Sequence, residues 1–323
     1  MHPAFSVIFL TTLIGAGQGL FLALFTSESY AAVGLLSKQS HTFYAIGAFI
    51  ALLLLIAGLI ASVFHLGRPE RAWRSAAQWR TSWLSREVIA LPLTMMLVFL
   101  YAIIHWFEWN PMLLGYSFGD KITLVLGGAA SVAIFILFLC TGMIYAAIRF
   151  LKEWATPLTI INFVLFGGAS GFMLASAYSS FYAPELVNFF GGWAIILTFV
   201  VWTTRSASLM RNARLKPTST IQTAIGVRHT KIEQKSMGMM GGSFNTREYF
   251  HGKTLLLIKS VKWLFIVLTF PLPILLLWAG MQFDQQTLLV AAFITQYVGL
   301  IFERWLFFAQ ANHPQNIYYQ TVG

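Results

Sequence analysis

Eight stretches of about 20 apolar residues, long enough to cross a ~30 Å hydrocarbon layer as helices, fall at roughly 4–26, 42–64, 87–107, 121–149, 157–180, 186–207, 254–280 and 286–308. Runs of this length, rich in Leu, Ile, Phe and Ala, restrict the chain severely. In lipid every backbone N–H and C=O must be satisfied internally, which helices of this length achieve. Composition agrees: 58% hydrophobic and 10% charged residues, with a mean hydropathy of +0.71, stand well apart from the ~45–50% apolar and ~25% charged residues of soluble domains. The expected fold is an all-α integral membrane protein, a bundle of eight transmembrane helices. The N-terminus lacks a basic region and a small-residue cleavage site, so the first run is expected to stay as a spanning helix.

Lysine and arginine are divided unevenly between the connections. The odd-numbered ones hold Lys38 and Lys121; the even-numbered ones hold Arg68, Arg71, Arg74, Arg80, Arg86, Arg149, Lys152 and the basic set from Arg205 to Lys253. The positive-inside rule then places the even connections and both termini in the cytoplasm. The net charge of +10 is read as attraction to anionic lipid and an acidic partner rather than to nucleic acid. The single cysteine, Cys140, lies inside an apolar run. This excludes internal disulfides, covalent haem attachment and an iron–sulfur cluster held by this chain alone. Lys, Arg, Asp and Glu fall at span ends and in connections, unlike the midplane charges and broken helices of transporters. A transporter nevertheless remains the alternative of another class.

The most polar stretch between two spans runs from His65 to Glu87. It contains five arginines, three tryptophans, His65 and two glutamates. If the flanking runs are antiparallel neighbours, His65 and Glu87 share one membrane face, at the depth of a quinone head group. Pro69 suits the first turn of a short interfacial helix through Arg71, Trp73 and Arg74. Ser85 reads as an N-cap with Glu87 in the first turn beyond it. In the first span, Gly15, Gly17 and Gly19 permit close helix approach and leave Gln18 as one of few strong polar groups at its depth. The chain thus divides into spans 1–6 with the 65–87 loop (1–210), a docking loop (211–253), two further spans (254–309) and a tail (310–323). In the docking loop, methionines, glycines and aromatics around Phe244, Asn245 and Arg247 suit an adaptable contact surface. Two histidine pairs share a face, His41 with His105 and His65 with His251, so a b-type haem stays open as an alternative. No metal site is otherwise expected.

His65-Leu66-Gly67-Arg68-Pro69, Ser82-Trp83-Leu84-Ser85-Arg86-Glu87, Gly242-Ser243-Phe244-Asn245-Thr246-Arg247-Glu248 and His313-Pro314-Gln315-Asn316 together resemble the membrane-anchor subunits of the dimethyl sulfoxide reductase family, and more distantly polysulfide reductase anchors. The resemblance covers essentially the whole chain. It implies a subunit of the bacterial inner membrane that exchanges electrons with ubiquinone or menaquinone. The partners it implies are a molybdopterin catalytic subunit and a four-cluster ferredoxin-like iron–sulfur subunit. It also implies that the His65 and Glu87 positions serve quinol binding and its protons. Arg68, Gln18 and Ser85 join them as candidate quinone-binding residues by position; Arg71, Arg74, Phe244, Asn245 and Arg247 are candidate docking residues. Because the loop with His65 carries the positive charge, the partners are expected on the cytoplasmic face. That arrangement is similar to the membrane subunit of a cytoplasmically oriented sulfite dehydrogenase, which reduces quinone. The runner-up is a quinol-oxidising anchor of a dimethyl sulfoxide or polysulfide reductase. In either case the sulfur chemistry belongs to a partner.

Overall fold

A computed structural model describes residues 5–64, 66–109, 112–113, 116–117, 119–216, 220–232 and 255–311. Among these, eight helices are long and apolar enough to cross a membrane. They comprise α1 (Phe5–Ala32), α2 (His41–Val63), α3 (Trp83–Trp106), α4 (Gly119–Ala146), α5 (Pro157–Tyr182) and α6 (Val187–Ala213). After the short α7 (Ile221–Ile225), the seventh span is formed by α8 (Leu255–Thr269) and α9 (Pro271–Gln282), and the eighth by α10 (Gln286–Ala309). A two-residue ladder, β1 (Met112–Leu113) with β2 (Tyr116–Ser117), precedes α4. Short connections make sequential helices antiparallel, so the 66–82 and 147–156 connections share one end of the bundle. This is called the arginine end below; the opposite is the far end.

Helix α1 is the axis, packed against α2, α4, α5 and α10. Its glycines allow this. A methyl group on Gly19 would lie 1.9 Å from the Gly167 carbonyl oxygen of α5, and one on Gly171 would lie 2.0 Å from the Gly19 carbonyl carbon. On another side of α1, a Gly17 Cβ would come within 2.8 Å of the Ala51 carbonyl oxygen of α2. Backbones in such contact gain dispersion that larger side chains would prevent. Leu20, Phe21, Leu24, Phe43, Leu55, Val98, Tyr101 and Ile134 fill the core between α1, α2, α3 and α4.

Several boundaries differ from the hydropathy reading. Helix α1 continues past residue 26 to Ala32, where Gly34 at φ +78° turns the chain; Glu28 therefore lies inside a span. Helix α6 continues to Ala213, which places Arg205 about two turns inside it. The cap of α3 is Ser82, whose Oγ accepts from Ser85 N at 3.4 Å. Ser85 is instead a buried first-turn residue, because the preceding 3-10 segment Pro69–Gln78, opened by its proline, ends close enough for the earlier serine to begin the helix. Arg86 pins that segment down: Nε donates to the Trp79 carbonyl at 2.9 Å, Nη2 donates to the Arg80 carbonyl at 2.8 Å, and the guanidinium lies 4.1 Å from the Trp83 ring centroid.

The seventh span breaks at Phe270, between Thr269 and Pro271. Pro273 has no N–H to return to the Thr269 carbonyl four residues back. Gln296 of α10 takes its place: its Nε2 donates to Thr269 O at 3.4 Å and to Thr198 Oγ1 of α6 at 3.1 Å.

Candidate functional site

At the arginine end, residues from five helices meet around one cavity. It is lined by Thr11, Thr12, Gly15 and Gln18 of α1, Glu87 of α3, Phe138 and Thr141 of α4, Phe163, Phe166 and Ser170 of α5, and Leu300 and Arg304 of α10, among others. Gln18, a candidate by position, and Glu87, a candidate through the family resemblance, thus share one space. Thr141 Oγ1 donates to Glu87 Oε1. Gln18, 2% exposed, donates Nε2 to the Ile134 carbonyl at 3.3 Å, which ties α1 to α4 and presents the amide at the depth of the helix-packing glycines. The free space at the centre is about 30 Å³, room for a water. A ring-sized occupant fits the polar groups and requires apolar lining such as Leu10 or Leu300 to move aside.

The cation of this cavity comes from a pattern the sequence did not reveal. Glu303 of α10 is fully buried and receives two arginines: Arg205 Nε of α6 at 2.8 Å from Oε1, and Arg304 Nε at 2.6 Å from Oε2. Two guanidiniums and one carboxylate leave one net positive charge out of water. Such a cluster is held by its mutual pairing, and removing one member typically costs about 3–5 kcal/mol because the remaining charge is left uncompensated. Aromatic faces share the load: the Arg304 guanidinium lies 4.2 Å from the Phe163 ring centroid and 5.0 Å from that of Phe307. Arg304 Nη1 is buried and makes no hydrogen bond, which leaves a donor for a cavity occupant. Behind it, Tyr145 stacks on Phe163 at 5.6 Å, and Trp154 donates Nε1 to the Phe307 carbonyl at 2.9 Å. At this border of the bundle Arg149 is exposed, while Trp154 is 3% exposed and turns inward.

The remaining candidates are placed differently. Arg68 is exposed in the connection after α2 and does not line the cavity. Ser85 is buried beneath its capping serine and does not line it either. His65 lies outside the described residues, as do Phe244, Asn245, Arg247 and His251. Arg71 and Arg74 stand exposed on the 3-10 segment, Arg71 with its Nε 3.8 Å from Glu70 and Arg74 5.5 Å from the Trp73 ring centroid. Trp73 and Trp79 are exposed beside them, so the segment presents an amphipathic, basic and aromatic face. Thr141, Ser170 and Arg304 were missed. The signal for Arg304 was the Glu303-Arg304 pair in an otherwise apolar helix. Helical Thr and Ser give no such signal, since their hydroxyls usually bond their own backbone, as Ser170 does to Phe166 O at 2.8 Å.

His41 and His105 do meet, at the far end, with Nδ1 atoms 3.0 Å apart and ring centroids 5.1 Å apart. A bis-histidine haem needs its two imidazoles on opposite faces of a macrocycle. Rings in direct contact do not fit that arrangement.

Comparison with known proteins matches residues 1–309 to the family model described as the DMSO reductase anchor subunit (DmsC). The chain is also 58% identical, over 325 aligned residues covering 100% of both sequences, to a subunit of the sulfite dehydrogenase of Allochromatium vinosum.

Proposed function

The chain belongs to the dimethyl sulfoxide reductase anchor-subunit family, and from that premise we propose that it is the quinone-reactive membrane subunit of a heterotrimeric molybdopterin oxidoreductase, passing electrons from cytoplasmic sulfite oxidation into the quinone pool. The observation that carries this reading is a cavity in which a carboxyl (Glu87), a buried cation (Arg304) and an amide (Gln18) converge among aromatic and aliphatic walls. A bound quinone supplies two-electron, two-proton chemistry, so its site needs a group that holds a proton and donors for two ring oxygens. Glu87 is the proton-holding group, oriented by the Thr141 hydroxyl. Arg304 Nη1 and the Gln18 amide are the donors. The apolar lining keeps bulk water from the carboxyl. His65, next in sequence after Phe64, the C-cap of α2, is the candidate for a second proton-transfer group.

The full-length similarity to a sulfite dehydrogenase subunit supports sulfite as the electron source. The arginine-rich connections support a cytoplasmic arginine end, with both termini on that side. The basic, aromatic face with Arg71 and Arg74 is the proposed seat of an acidic surface on a ferredoxin-like iron–sulfur subunit. Phe244, Asn245 and Arg247 are further docking candidates by sequence, and the molybdopterin subunit docks on the iron–sulfur subunit.

Two measurements test the reading. A photoreactive quinone analogue, irradiated with the intact complex, is expected to label α1 near Gln18 or α10 near Arg304; labelling confined to the neighbourhood of His41 would move the site to the other end of the bundle and overturn the assignment. Alkaline phosphatase joined after residue 309 is expected to be inactive in whole cells. Strong activity would reverse the topology and with it the direction of electron flow.

A further inference from the structure

The far end of the bundle holds a second constellation that the proposed quinone chemistry leaves unused. Glu28 of α1, His41 and Tyr44 of α2, and His105 of α3 surround a cavity of about 320 Å³, also lined by Lys38, Gln39 and Leu124. His105 is 2% and Glu28 9% exposed, and the buried Tyr44 hydroxyl makes no hydrogen bond. The Tyr101 hydroxyl donates to Glu28 Oε2 at 2.5 Å, His105 Nε2 lies 3.3 Å from Glu28 Oε1, and His105 Nδ1 lies 3.0 Å from His41 Nδ1.

These contacts resolve into one consistent set of protons. Glu28 accepts from Tyr101, and His105 Nε2 faces its other oxygen at 3.3 Å without a formed hydrogen bond; with the proton of a neutral His105 on that nitrogen, Nδ1 is left only as an acceptor. His41 must therefore donate from Nδ1, and its Nε2 is the nitrogen left for the cavity. A proton arriving on His41 Nε2 can release the Nδ1 proton to His105 Nδ1, and His105 can release its Nε2 proton to Glu28. One proton, and one unit of charge, then passes from cavity water to a buried carboxylate. Both rings finish in the other tautomer and turn or transfer back before the next passage. The relay is bonded at Tyr101–Glu28 and at His41–His105 and open at His105 Nε2–Glu28, and a buried donor left open beside a carboxylate in a low-dielectric interior is a costly arrangement that a proton-transfer role accounts for.

The constellation is also aligned with the site at the arginine end. Glu87, Thr94 and Tyr101 recur every seven residues on the inner face of α3, about 10.5 Å per step. Thr94, midway, is fully buried with its Oγ1 unpartnered. An orphaned hydroxyl at that depth is what a bridging water would satisfy.

We propose that the far-end cavity is a proton port, exchanging protons between the aqueous phase opposite the arginine end and Glu28 through His41 and His105, and linking that face to the redox chemistry at Glu87. The inference rests on the quinone reading, with electrons supplied by the iron–sulfur partner. The test uses the complete complex in sealed liposomes, partner subunits outward, with a pH-sensitive dye inside. Sulfite is added outside, and quinone reduction is followed by absorbance in the same sample. The expected result is a change in lumenal pH that accompanies quinone reduction, is lost in Glu28→Gln and His105→Gln and is partly retained in Glu28→Asp. Quinone reduction with constant lumenal pH in the unaltered complex overturns the proposal, whether or not the variants assemble; an unchanged proton-to-quinone ratio in assembled variants overturns it too. Absence of quinone reduction would instead sink the reading of the Glu87 cavity, and this inference with it.

Discussion

Replacing Glu87 by glutamine is expected to lower quinone-coupled turnover of the assembled complex by about 100-fold or more, the range set by loss of a positioned proton-transfer group. Oxidation of sulfite with an artificial electron acceptor, which draws electrons from the partner subunits directly, should be unaffected. Glutamine keeps the volume of the side chain and can still accept from Thr141, so the packing around Phe138, Phe163 and Leu300 is preserved. What disappears is the capacity to hold and release a proton in the cavity that Arg304 also lines. Glu87→Asp should recover part of the rate, because the carboxyl is restored although set back by one methylene. Full quinone-coupled turnover in Glu87→Gln would leave the cavity a packing defect and the chain an anchor without quinone chemistry.

The second large effect concerns assembly. Gly171→Val is expected to prevent accumulation of the chain in the membrane, and Gly19→Val should do the same. The atoms that a side chain at either position would strike are backbone atoms of the facing helix, at 2.0 Å and 1.9 Å respectively, and no rotamer change relieves them. Overpacking against movable side chains already costs about 1–3 kcal/mol. Forcing α1 away from α5 forfeits the central contact of the bundle as well, against a total stability of about 5–15 kcal/mol. Gly192→Val is the control, since a Cβ there meets nothing within 4 Å, and it should accumulate like the parent chain. Membrane fractionation and thermal denaturation in detergent measure both. An unaltered melting temperature for Gly171→Val would mean that α1 and α5 are not in the contact described.

These expectations differ in how far they were legible in the chain itself. The eight spans, the arginine asymmetry, the short helix opened by Pro69 and the close approach at Gly15, Gly17 and Gly19 follow from hydropathy, loop charge and residue size, all local properties. The partners of Gln18 and Glu87 do not, because Ile134 and Thr141 lie 116 and 54 residues away. Arg205 was hidden for a different reason: hydropathy ends its span near residue 207, whereas helical hydrogen bonding continues to Ala213 and carries the guanidinium inward to Glu303. Glu28 was hidden likewise by the extra turns of α1. Choosing between Ser82 and Ser85 as the cap of α3 depended on where the preceding 3-10 segment stops, which no propensity specifies. His41 and His105 were placed on one face by the sequence. That they touch, and that Glu28 completes the chain, required the packing of three helices.

The break in the seventh span has a bearing on biogenesis. Its Thr269 carbonyl is covered by a side chain 27 residues further along the chain, in the span that follows. An uncovered carbonyl in hydrocarbon costs several kcal/mol, so the last hairpin is obliged to enter lipid as a pair, with α10 completing a segment that cannot stand there by itself. A polypeptide halted before Gln296 would carry a permanently unfinished helix, a defect of the sort that membrane proteases clear.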